Sequence, residues 1–186
     1  MSPTNKKFKK QIPHPSPLKL DIGGGSGGKR DEDYISVDIL PTADVVAPMW
    51  DIPYKDNSVD FIWSSHTLEH GSMYKVVPTL TEWLRILKPG HQAIIQVPDF
   101  DYVAKYWLTG TDRVWAEAIV FGLQTDEGQY HKCAFTSASL RNDLVAVGFE
   151  VIRIELKWAY NQDTLQAVAR KPLVPIVVEA SVPPES

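Results

Sequence analysis

Hydrophobic and polar positions alternate along this chain with two different periods. Short apolar runs bounded by glycine, proline or aspartate predict strands at residues 19–22, 34–37, 61–64, 93–97, 150–155 and 164–169, with a weaker one at 44–47. The stretch "PTLTEWLRILKPG" follows a helical period instead: Leu80, Trp83, Leu84 and Leu87 share one face, Pro78 suits the first turn, and Pro89-Gly90 is the expected stop. "TSASLRNDLVAVGF" predicts a second helix, capped by Thr136 or Ser137, with Leu140, Leu144 and Val147 on its apolar face and Gly148 as its end. Residues 99–135 read as two short helices and a polar loop inserted after the strand that ends at Val97. Strands alternating with helices imply an α/β sheet with mostly parallel strands, and an insertion at that point overhangs the carboxyl ends of the strands, where ligands bind.

Composition narrows this picture. A chain of 186 residues with 44% hydrophobic and 23% charged residues suits one globular domain with a substantial core. A formal net charge of -4 and a pI near 5.7 argue against nucleic acid as the main partner, and the run Lys6, Lys7, Lys9, Lys10 is too short to reverse that. The prolines at 13, 15 and 17 follow it with no apolar segment, so residues 1–17 read as a basic, proline-rich tail with neither a signal peptide nor a membrane span. Residues 171–186, with four prolines, read as a second tail, leaving 18–170 as the domain. Cys133 is the one cysteine, which fits a reducing, cytoplasmic setting.

The candidate chemistry starts at "LKLDIGGGSGGKRDEDYISVDI", where a strand is followed by five glycines in six positions. Gly23, Gly25 and Gly28 satisfy G-x-G-x-x-G, and Asp38, closing the next strand, is placed to accept hydrogen bonds from a ribose diol. A dinucleotide pyrophosphate, however, wants a helix N-terminus, and "KRDED" has no apolar face from which to build one. An adenosine ligand without phosphates does not need that helix.

At this point the chain resembles the class I S-adenosylmethionine-dependent methyltransferases. Their first motif, L-D-I-G-x-G-x-G, stands at residues 20–27, the acidic strand end is "ISVD", and "DIPYKDNSVDFIWSSHTLEH" and "EWLRILKPGHQAIIQVPD" match later motif regions. The resemblance covers about residues 18–156 and is nearest to a small bacterial branch with a shortened first helix. It implies a single Rossmann-like domain: a seven-stranded, mostly parallel sheet with its last strand antiparallel, helices on both faces and a reduced first helix. It also implies S-adenosyl-L-methionine as cofactor, S-adenosyl-L-homocysteine as product and a small-molecule acceptor.

Carried over residue by residue, the resemblance assigns Asp21, Gly23, Gly25 and Gly27 to the cofactor turn and Asp38 with Ile39 to the ribose end. Met49, Trp50 and Asp51 fall to the adenine, because Pro48 stands where many relatives have an acidic residue, and Ser64 and Ser65 to backbone contacts at the fourth strand end. The bland readings are a turn-satisfying carboxylate for Asp21, a turn residue for Asp38, core packing for Trp50 and a cap for Asp51. His66 and His131 are candidate bases, with ordinary pKa values near neutrality. Asp99, Asp101 and Tyr102, together with those two histidines, are candidate acceptor contacts. His66 and His70 stand four apart, yet no third ligand is legible and the resemblance implies no metal.

A methyl group moved to an O or N atom of a sugar, a glycolipid precursor or another metabolite is the leading expectation. A catalytically silent cofactor-binding scaffold and a nicotinamide oxidoreductase are the competing ones.

Overall fold

The computed structural model describes residues 16–25, 30–159 and 162–174. Seven strands form one sheet: β1 (Lys19–Ile22), β2 (Tyr34–Asp38), β3 (Val45–Val46), β4 (Val59–Ser65), β5 (Leu87–Pro98), β6 (Glu150–Ala159) and β7 (Gln162–Arg170). Their order is β3-β2-β1-β4-β5-β7-β6; β1 to β5 pair in parallel and β7 runs antiparallel to both neighbours. The chain reverses between β1 and β4, so the crevice beyond the carboxyl ends of these strands is a topological switch point.

The strand register sorts the side chains into two faces. Leu20, Ile22, Ile62, Ala93, Ile95, Ala167 and Ala169 fall on one face and are buried in the hydrophobic core with residues of two helices, α1 (Val76–Ile86) and α4 (Ser137–Val147). From α1 come Leu80 and Trp83, from α4 Leu140 and Leu144, all fully buried. The helices touch each other and so lie side by side. The opposite face is more polar, with Asp21 beside Trp63 and Gln96 beside Gln166 in register.

Local signals explain most of the helix ends. Thr136 and Ser139 form a reciprocal capping box at the start of α4, and Gly148 closes it in the left-handed region at φ 102°. Helix α1 ends at Ile86, before the expected Pro89-Gly90 stop, because Leu87 pairs with Val59 and starts β5. The insertion contains α2 (Phe100–Thr109), capped by Asp99, and α3 (Arg113–Phe121), capped by Asp112. Between Arg30 and Tyr34 there is a turn and no helix, as "KRDED" implied. The two tail expectations fall mainly on residues 1–15 and 175–186, which lie outside the described residues. Among the described residues no helix is long and apolar enough to cross a membrane.

Candidate functional site

The glycine turn is shaped by close approach. Gly23 sits at φ +83°, its N–H donates to the Val37 carbonyl at 2.8 Å, and a Cβ there would fall 2.0 Å from Thr67 Oγ1. That hydroxyl in turn donates to the Ile22 carbonyl at 3.1 Å. Only glycine meets both the dihedral and the space. Thr67 has no signature of its own in the sequence; its role depends on the end of β4 lying beside the end of β1.

Asp38 clamps the same turn from β2. Its Oδ2 accepts from the Gly25 N–H at 3.0 Å and its Oδ1 from the Leu40 N–H at 3.0 Å. A carboxylate has about four lone-pair directions, so two backbone donors leave it able to accept from a diol. Asp21 Oδ2 accepts from the Arg30 N–H at 2.6 Å; burial pushes its carboxyl up from the ordinary value, partly opposed by that bond. The Arg30 guanidinium lies 3.8 Å from the centre of the Trp63 ring, which anchors the far side of the loop. Gly27 and Gly28 lie outside the described residues.

After β3 the chain makes a turn in which the Asp51 N–H donates to the Pro48 carbonyl at 3.0 Å. The Met49 carbonyl accepts from Trp83 Nε1 at 2.9 Å, fixing this turn to α1. Trp50 is 38% exposed with the Lys75 ammonium 5.1 Å from its ring centre, so its indole is not a core element. Ile39 is also exposed. Both are apolar surfaces beside the carboxyl ends of the strands.

At the end of β4, Ser64 is fully buried and its hydroxyl has no hydrogen-bond partner among the described residues, while Ser65 Oγ donates to Gln96 Oε1 at 2.7 Å. His66 takes the left-handed conformation at φ 52°, its N–H donating to the Gln96 carbonyl at 2.9 Å. Its Nε2 is 3.1 Å from Thr164 Oγ1 and its Nδ1 is 3.3 Å from Glu69 Oε1. The sequence spacing paired His66 with His70, whereas in the fold the His70 ring meets His131 edge to face at 4.8 Å. His131 Nδ1 bonds the Ile119 carbonyl at 2.7 Å and His70 Nδ1 the Tyr130 carbonyl at 3.2 Å. Burial lowers the His131 pKa and favours its neutral form, with the Glu69 charge opposing. Glu69 escaped the sequence reading, which treated "LEH" as a capping segment.

The insertion contacts of the sequence reading divide in the same way. Asp99 is buried and accepts from the Asp101 N–H at 3.1 Å, a cap, whereas Asp101 is exposed. Tyr102 Oη is 2.9 Å from Tyr106 Oη and its ring packs edge-on against Trp115, within the insertion itself. A small cavity opens between insertion and sheet, lined by Glu69, Pro98, Phe100, Val103, Ile119 and His131 among others. It is apolar except at the carboxylate and the imidazole. Cys133 beside it has Sγ 3.4 Å from the Gly71 carbonyl, and burial pushes its thiol up to about 12, so it is an uncharged structural group.

Residues 20–95, from β1 through most of β5, match the methyltransferase domain family. No curated protein matches the chain in sequence. An S-adenosylmethionine-dependent methyltransferase from Methanosarcina mazei has a similar structure at 19% identity and a TM-score of 0.65, the match covering 84% of this chain and 93% of that one. A second is the 1,6-didemethyltoxoflavin-N1-methyltransferase of Burkholderia thailandensis, solved with 1,6-didemethyltoxoflavin and S-adenosylhomocysteine, at 16% identity, a TM-score of 0.58 and coverage of 83% and 71%. Such identities speak for the fold. The methyltransferase-domain match thus spans less than half of the chain, and the β3-β2-β1-β4-β5-β7-β6 sheet is the Rossmann-like fold that the chain shares with these structures.

Proposed function

We propose that this protein is a class I methyltransferase that uses S-adenosylmethionine as cofactor and acts on an O or N atom of a small or medium acceptor, such as a sugar, a glycolipid precursor or another metabolite, held between the strand ends and residues 99–135. The observation that carries this reading is His66, held in a left-handed turn at the mouth of β4 between Glu69 and Thr164. S-adenosylmethionine supplies an electrophilic methyl on a sulfonium sulfur. The Asp38 carboxylate takes the ribose diol, Gly23, Gly25 and Gly27 admit the methionine chain with Asp21 at its amino end, and Ile39, Met49, Trp50 and Asp51 border the adenine. Ser64 and Ser65 present backbone groups beside the methyl.

Methyl transfer is a displacement in which the C–S bond breaks with its electron pair left on sulfur while the C–O or C–N bond forms. The protein's part is alignment and removal of the acceptor's proton. With Nδ1 facing the Glu69 carboxylate, His66 Nε2 is the nitrogen that receives this proton, and the Thr164 hydroxyl holds the ring until the acceptor arrives. His131 is the alternative base from the insertion side. Asp99, Asp101 and Tyr102 stand where the acceptor enters. Residues 18–170 act as the catalytic domain, and the single Cys133 suits a reducing cytoplasm.

The test is calorimetric titration of S-adenosylhomocysteine into the wild-type protein and Asp38→Ala, with NAD as control, followed by an acceptor screen. Micromolar binding weakened at least tenfold by the substitution supports the assignment, since hydrogen bonds to a charged group contribute about 1.5–3 kcal/mol. Cofactor binding with no turnover on any acceptor would favour a silent scaffold, and NAD binding would overturn the cofactor assignment.

A further inference from the structure

We propose that Glu69, His70 and His131 form a binding site for a divalent first-row transition ion such as zinc, joining the insertion to the strand ends. The first observation is Glu69 itself. It is 1% exposed and, among the described residues, neither carboxylate oxygen has a hydrogen-bond partner. A buried carboxylate short of donors is costly, and such groups are normally paired or bound to metal. The His66 ring faces one oxygen and leaves the other unmatched.

The second observation is how the two imidazoles are held. A carbonyl oxygen only accepts, so the Nδ1 contacts of His70 and His131 with the carbonyls of Tyr130 and Ile119 place the proton on Nδ1 in both rings. Each ring is then left with Nε2 as a lone-pair donor. This arrangement, a ring N–H tied to a backbone carbonyl with the other nitrogen free to ligate, is the usual outer-shell support of metal-bound histidine. One ligand atom from each of Glu69, His70 and His131 lies within 4.8 Å of the other two. Ligands at about 2.0–2.2 Å from a tetrahedral ion stand about 3.5 Å apart, so side-chain rotation closes the remaining gap.

The donor set selects the ion. Two nitrogens and one carboxylate suit zinc or another first-row divalent ion and do not suit calcium or magnesium, which prefer oxygen. Cys133 Sγ lies against the Leu68, Glu69 and Gly71 carbonyls and is not among the clustered ligand atoms. Three protein ligands leave at least one position open toward water or a second ligand. The backbone already brings the two segments together, with the N–H groups of Lys132 and Cys133 both donating to the Glu69 carbonyl at 2.8 and 3.3 Å. An ion adds a bond of longer reach between the same segments. This site stands on the cluster's geometry, whatever the acceptor proves to be.

The experiment uses the untagged, full-length protein, stripped with a chelator and titrated with zinc by calorimetry and with cobalt(II) by visible absorption. One equivalent bound, a ligand-field spectrum of low coordination number and a rise in Tm on zinc loading are expected. Glu69→Gln and His131→Ala should each weaken binding at least tenfold, while His91→Ala, outside the cluster, should not. Glu69→Gln should also abolish the zinc-induced rise in Tm, because it replaces a carboxylate ligand with a neutral amide. X-ray absorption on the zinc-loaded wild type reads the ligands without any substitution, and two imidazoles are expected. Absence of binding to the folded wild type, an all-oxygen shell, or undiminished affinity in the folded variants would overturn the site.

Discussion

The two edges of the sheet are built on opposite principles. At the amino-terminal edge of the parallel strands, charged groups are matched: Asp60 accepts from the Leu18 N–H at 2.9 Å and from Lys88 Nζ at 2.6 Å. Arg85 binds Glu82 and Asp56 and reaches the carbonyls of Tyr54 and Ile52, while Lys171 spans Asn57 and the Leu84 carbonyl. At the carboxyl edge stand Gly23 and His66 with positive φ and, among the described residues, a buried Ser64 hydroxyl without a hydrogen-bond partner and a Glu69 carboxylate approached only by His66 Nδ1 at 3.3 Å. One edge holds the scaffold together by matched charges, and the other carries unmet polar groups that a ligand can meet.

Breaking this contrast at its tightest point has the largest expected effect. Gly23→Ala forces a Cβ into Thr67 at a left-handed backbone position, and the expected loss is about 3 kcal/mol of stability together with S-adenosylhomocysteine binding, read by urea unfolding and calorimetry. His66→Asn keeps the left-handed turn, which asparagine tolerates, and removes the imidazole. Turnover on an identified acceptor should fall at least a hundredfold with cofactor affinity unchanged. An equal loss of cofactor binding would place His66 in the cofactor site instead.

Asp21→Asn sharpens the comparison, because the two edges should respond with opposite sign. Burial raises the Asp21 pKa, so the folded state holds the proton more tightly than the unfolded one and stability falls as pH rises through the ordinary carboxylate value, near 4, toward the raised one. The asparagine variant should lose that slope and keep or gain stability at neutral pH, while binding S-adenosylhomocysteine about tenfold more weakly.

Asp60→Asn should do the reverse. Burial alone would raise the Asp60 carboxyl, but Lys88 and the Leu18 N–H hold it below the usual range. Its stabilisation is therefore present above the ordinary carboxylate pKa and lost as pH falls through the depressed one. The substitution should cost about 1 kcal/mol near neutrality, less in acid, with cofactor affinity unaltered.

Legibility follows the same division. The period of apolar positions located every strand, including the two-residue β3, because burial on a pleated face depends on neighbours close in sequence. It misjudged the end of α1, where a long-range pair between Leu87 and Val59 outweighed the Pro89-Gly90 stop. Asp38 and Gly23 were readable because strand ends and tight turns leave compositional marks. Thr67 and Glu69 were not, since nothing local distinguishes a threonine that fills a glycine's space or a glutamate folded away from water.

By itself, then, the sequence determined the strand and helix succession, the bare first turn with no helix behind it among the described residues, and the acidic residue that closes β2. Those features rest on local dihedral preference and on periodic burial. Tertiary structure alone decided which histidines meet: His66 with Glu69 and Thr164, His70 with His131. The reason is loop closure, since residues 99–135 return the chain to the end of β4, and which side chains face each other there depends on how that excursion packs rather than on any spacing along it.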